Sequence, residues 1–134
     1  MTQDAGLQAL NEIRLMLEAG CVYRYARRFR EARDVFQGVR ALVPTRDVAD
    51  LGLAGVSVDE GKLEEAEANC RRALELNRAS AAGYAQLAEI QLRQNSAAAA
   101  RQSIQRSLEL SPNGPSAALA KTLLKLSSVA ASKS

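Results

Sequence analysis

The 134-residue chain has no histidine and no tryptophan, only two cysteines and three prolines, and an aromatic content of 4%. Each shortage removes a class of function. Without histidine, the usual zinc constellations and the commonest general acid–base group are missing. Cys21 and Cys70 match no metal-ligand or redox spacing and read as two free thiols. So few rings leave little for stacking nucleic-acid bases. Glycine-rich phosphate loops are absent, and acids such as Glu64, Glu65 and Glu67 open a helix, where they complement its dipole rather than pair for catalysis. The expectation is therefore a non-enzyme, with no cofactor and no bound metal. No window reaches 18 apolar residues, and the start MTQDAGLQAL has neither a basic beginning nor a continuous apolar run. A cytoplasmic protein without membrane contact is expected.

Apolar residues make up 47% of the chain, enough for one folded domain. Fourteen of the 18 basic residues are arginine, yet the net charge is only +3. Arg24, Arg27, Arg28, Arg30 and Arg33 form the densest run, with Glu31 and Asp34 beside them. This reads as a partly compensated, solvated face, and nucleic acid is not the expected partner.

The strongest signal is a repeat. Ala32, Ala66 and Ala100 are spaced by 34 residues, and segments 13–46, 47–80 and 81–114 align around them without a gap. Gly20, Ala54 and Ala88 share a second small position. Larger side chains at either place would hold paired helices apart. In the middle unit, three- and four-residue apolar spacings predict helices over 47–60 and 63–76, separated by Gly61. Pro44 and Pro112 stop the second helix in the outer units. Residues 115–130 carry Ala118, Leu119, Leu123, Leu126 and Ala130 on one stripe, as expected of a terminal capping helix. Residues 1–12 form an N-terminal extension that adds to the first helix, and 131–134 a tail.

A 34-residue unit of helix, turn and helix resembles the tetratricopeptide repeat. Asn95 stands where the turn glycine is usual, Ser107 replaces a small alanine, and no unit has the tryptophan often found near its start. The resemblance implies an all-α fold: three helical hairpins and a capping helix wound into a right-handed superhelix, whose concave face is lined by the first helix of each pair. The positions facing inward would be Arg14, Leu17, Cys21, Arg24 and Tyr25; Val48, Leu51, Gly55, Val58 and Asp59; and Ala82, Ala85, Glu89, Leu92 and Arg93. Leu17, Leu51, Val58 and Leu92 would make an apolar centre, with Arg14, Arg24, Arg93, Asp59 and Glu89 on the rim. Gly55 is placed where a ligand backbone could approach, or where a small residue merely fits a helix contact.

The run Tyr25–Ala32, the Val35-Phe36-Gln37 segment and Leu51-Gly52-Leu53-Ala54 are also similar to the small type III secretion chaperones that hold translocator proteins. That likeness implies a cradle for an extended apolar segment. The carboxylate clamp of other family members needs Lys and Asn where this chain has Leu17 and Cys21. The expected partner is thus a protein or peptide with an extended apolar segment. The alternative is a self-associating or scaffold domain whose working surface is the convex face or the ends, with a homodimer as the form an exposed apolar trough favours.

Overall fold

The computed structural model describes the backbone of residues 2–133 and the side chains of residues 4–129. Among the described residues there are seven helices and no strand: α1 (Thr2–Tyr25), α2 (Phe29–Leu42), α3 (Val48–Asp59), α4 (Leu63–Leu76), α5 (Ala81–Arg93), α6 (Ala97–Leu110) and α7 (Ala117–Lys133). None is long and apolar enough to cross a membrane. Residues 2–12, read as an extension, are the first turns of α1. The end of α7 also differs from expectation, since residues 131–133 continue the helix instead of forming a tail. Ser134 and the side chain of Ala130 lie outside the described residues.

The hairpin turns repeat to the hydrogen bond. Arg28, Lys62 and Ser96 donate their backbone N–H to the carbonyls of Tyr23, Ser57 and Gln91, at 2.8, 2.9 and 2.8 Å. This is the six-to-one closure that ends a helix on a left-handed residue. That residue is Arg27 (φ 60°), Gly61 (φ 76°) and Asn95 (φ 62°) in the three units. Glycine adopts this conformation freely and asparagine tolerates it, whereas an ordinary L side chain there costs roughly 1–2 kcal/mol.

Two layers result. The first helices α1, α3, α5 and α7 each touch the next along an inner row, while α2, α4 and α6 each pack between successive inner helices. Among the described residues the backbones of the outer helices do not pack against one another, although the side chains of Arg33 (α2) and Glu65 (α4) pair at 3.2 Å. Contact inside and separation outside mean that the stack curves with the inner row on its concave side.

Small residues set how closely the layers meet. Ala32, Ala54, Ala66, Ala88 and Ala100 are all fully buried. In the first unit the fit is tightest, because the Phe36 ring from α2 lies against both Gly20 of α1 and Gly52 of α3. A methyl group added at Gly20 or Gly52 would approach the ring to 2.7 or 2.5 Å. The ring has no room to yield, being 2% exposed and packed with Ala32, Leu53 and Val56. Gly52→Ala should therefore destabilise the protein by about 1–3 kcal/mol despite alanine's better helix propensity, as read by urea unfolding. Phe36→Ala should cost about 3–5 kcal/mol.

One charge is buried within this packing. Asp50 of α3 is 1% exposed, and neither carboxylate oxygen has a hydrogen-bond partner. The Nε atoms of Arg40 (α2) and Arg72 (α4) stand 3.8 and 3.9 Å from it. Burial raises its pKa above the ordinary value; the two arginines pull it back without cancelling the effect, and Asp47 adds to the rise. A carboxyl whose folded pKa is raised contributes most below its unfolded pKa and loses that contribution as pH rises through the folded value. Asp50→Asn, which cannot titrate, should thus melt higher than wild type at neutral pH. The gap should narrow as the buffer is acidified through the range in which Asp50 takes up its proton.

Candidate binding surface

The inner row carries the candidate surface, and an ion pair divides it. Arg24, at the end of α1, donates through Nε to Asp59 Oδ2 at 2.5 Å and through Nη2 to Asp59 Oδ1 at 3.1 Å. To reach the end of α3 its guanidinium crosses the α3 backbone at Gly55. A Cβ there would meet Arg24 Nη1 at 2.6 Å. The hydrogen bond to Asp59 is the chief reason that the Arg24 pKa is raised; partial burial opposes it, and Glu89 of α5 adds attraction. The glycine is thus explained from within the protein. It makes room for an arginine, not for an approaching ligand.

The structure sorts the sequence-predicted inward positions into three groups. Arg14, Cys21, Tyr25, Ala82 and Arg93 are exposed, and Leu17, Arg24, Val48, Leu51, Asp59, Glu89 and Leu92 are half-buried. Gly55, Val58 and Ala85 are buried and cannot line a groove. Val58, at 5% exposure, belongs to the core with Ala54, Ala66, Cys70, Leu87 and Ile90; Ala85 is 1% exposed. The expected apolar centre at Val58 is therefore interior, because the last turn of α3 rotates that side chain toward α4 and α5. Leu51 remains at the surface, and its carbonyl accepts a 3.0 Å hydrogen bond from Gln86 Nε2, tying α3 to α5.

The open apolar ground lies further along, between α5 and α7. A cavity of about 490 Å³ is walled by Leu92, Leu119, Leu123 and Leu126, with Glu89, Arg93 and Thr122 at its polar edge. Leu123 and Ala120 anchor α7 to Ala88 and Ile104, while Leu119 and Leu126 stay 42% and 54% exposed. Sequence reasoning saw the leucine stripe of α7 and assigned it to sealing the stack. Among the described residues of that stripe only Leu123 is buried: the sealing face is Ala117, Ala120, Leu123 and Ser127, which leaves Ala118, Leu119 and Leu126 exposed.

A second cleft, of about 470 Å³, lies at the other end of the row and is lined by Cys21, Arg24, Tyr25, Arg27 and Asp59. The two thiols differ sharply. Cys70 is buried, bonds the Gly83 carbonyl at 3.2 Å, and has its pKa pushed up to about 12, chiefly by burial. Cys21 is exposed. Among the described residues no cluster of acidic or cysteine side chains is arranged to hold a metal ion.

A tetratricopeptide-repeat family model matches residues 52–80 and 81–113. Residues 52–113 thus carry two tetratricopeptide repeats. Solved structures of this class superpose over nearly the whole chain. The first tetratricopeptide domain of human RPAP3 is 24% identical, with a TM-score of 0.79, covering 90% of this chain and 93% of its own. The type III secretion chaperone SycD of Yersinia enterocolitica, solved with a peptide of the translocator YopD, is 16% identical, with a TM-score of 0.74 and coverages of 89% and 94%. A type III secretion complex from Aeromonas hydrophila is 18% identical, with a TM-score of 0.75 and coverages of 92% and 83%. At these identities the likeness is one of fold. No curated protein sequence matches the chain.

Two outcomes test this geometry. A double-mutant cycle of Arg24→Gln and Asp59→Asn should give about 0.5–1 kcal/mol of coupling in wild type. In a Gly55→Ala background the coupling should vanish, because the added methyl displaces the guanidinium, while total stability shifts by less than about 1 kcal/mol as helix propensity offsets the lost pair. Separately, a thiol reagent on the native protein should modify Cys21 alone, with Cys70 reacting only after denaturation.

Proposed function

We propose that this tetratricopeptide domain is a non-enzymatic holding module that binds an extended polypeptide segment along its inner row. The bound segment's aliphatic side chains anchor between α5 and α7. The observation that carries this reading is the open cavity walled by Leu92, Leu119, Leu123 and Leu126, since exposed leucines grouped in a concavity with a polar edge suit a peptide anchor. The structural neighbours support it in kind: RPAP3 domains were solved with HSP90 and HSP70 peptides, and SycD with a translocator peptide. Of these two modes the second fits better. The α1 surface offers Leu17 and Cys21 where a carboxylate clamp needs Lys and Asn, and Arg24 is already committed to Asp59. A role as a secretion chaperone for an apolar client is the finer form of this reading.

Self-association is the second reading, favoured by a specific observation: Leu7, Leu10, Leu15 and Val22 of α1 are 52–67% exposed. Sedimentation across a concentration series separates the two. A monomer that binds peptide supports the first, and a dimer that excludes peptide supports the second.

The direct test is an array of unstructured peptides probed with wild type and with Leu126→Glu. Because Leu126 is more than half exposed, the substitution should leave melting unchanged. Wild type should retain aliphatic-rich peptides, and the variant should bind them about tenfold more weakly. Equal binding by both would remove the α5–α7 cavity from the account.

A further inference from the structure

We propose that the first hairpin turn is a second recognition element, which selects carboxylates in the same bound segment; this rests on the peptide-binding reading above. The turn brings together Tyr25, Arg27, Arg28 and Arg30, all exposed. Three observations make it more than a solvated face.

Arginine occupies the left-handed position that glycine holds in the second unit and asparagine in the third. A strained residue kept where a strain-free one serves equally well for folding points to a use for its side chain. The arginines of this run also divide by partner. Arg24 is paired with Asp59, and Arg33 with Glu60 and Glu65. Arg28 reaches only Glu31, at 3.4 Å. Among the described residues Arg27 and Arg30 have no carboxylate within ion-pair distance. Rings instead hold two of these guanidinium groups at the surface: Arg27 lies 5.0 Å from the Phe29 centroid and Arg28 5.4 Å from that of Tyr23. Packing of this kind restrains a side chain without neutralising its charge.

The third observation is the place. Arg27 and Tyr25 line the 470 Å³ cleft together with Arg24 and Asp59 of the inner row, so the basic turn continues the candidate peptide track. Tyr25 is 94% exposed and offers a ring at its edge. A polypeptide with spaced carboxylates fits this ground better than a nucleic acid. The neighbouring Glu31, Asp59, Glu60 and Glu65 break the positive field into separate points, where a continuous phosphate backbone would meet repulsion.

The test uses the full chain and two fluorescent synthetic peptides. Both alternate leucine and serine; one is flanked by glutamates and the other by further serines. By anisotropy at low salt, the glutamate peptide should bind wild type about three- to tenfold tighter than its serine counterpart, and salt should erode the difference. The preference should disappear in the Arg27→Glu, Arg30→Glu double variant. Arg27→Gly should melt a few degrees higher than wild type while losing much of the preference, a combination that a purely structural arginine would not produce. Equal affinity for the two peptides, or a preference that survives the double variant, overturns the proposal. So does tighter binding of a mixed-sequence single-stranded oligonucleotide that the double variant abolishes. Leu126→Glu should weaken both peptides and keep their ratio. If it weakens neither, the α5–α7 anchor fails while the ratio still judges the acidic preference; if neither peptide binds wild type, both readings fall.

Discussion

The distance between neighbouring helices is the constraint on which the structure depends, and Phe36 shows it most plainly. Its ring fits only because Gly20 on one side and Gly52 on the other present bare backbone. The same economy recurs as alanine where the later units match Gly20, at Ala54 and Ala88, both fully buried. Close approach within each hairpin lets α1, α3, α5 and α7 touch in a row while the outer helices stay apart. Curvature follows, and with it a concave side. The candidate surface is thus a consequence of residues that never reach it.

What that concave side offers is set by how its charges are spent. Arg24 and Asp59 neutralise each other across Gly55, so where α1 meets α3 the row carries a closed pair and no free charge. The accessible features move to the two ends. Toward α7 the surface is apolar, because Leu119 and Leu126 stay exposed beside Leu92. Toward the first turn it is basic, because among the described residues Arg27 and Arg30 have no carboxylate within ion-pair distance while Glu31, Asp59, Glu60 and Glu65 pair with other arginines. A surface of this kind reads a segment by two dissimilar chemistries placed apart, which is a route to selectivity that a uniformly greasy trough lacks.

Much of the fold was legible in the sequence, because a 34-residue period writes each constraint three times. Gly61 and the spacing of Ala66 and Cys70 are enough to place α4 at Leu63–Leu76, where the structure has it. The surface was less legible. Inward positions can be inferred by register, yet register does not show that Val58 turns into the core or that Ala85 is covered. Nor does it show that Gly55 accommodates an arginine 31 residues earlier, a contact that only the stacking of α1 on α3 creates. Arg27 was hidden differently. Aligned with Gly61 and Asn95 it holds the left-handed turn position, but in a run of arginines its charge was more conspicuous than its backbone. Of the α7 stripe, register did not separate Leu123, which seals the stack, from Leu119 and Leu126, which stay exposed.

The measurement that bears most directly on the account is a backbone amide NMR titration of the protein with a leucine-rich, glutamate-flanked peptide. The account predicts shift changes along the inner row, in α1, α3, α5 and α7, largest around Leu92, Leu119 and Leu126 and again near Tyr25 and Arg27. Changes centred on α2, α4 and α6, with the inner row silent, would contradict it.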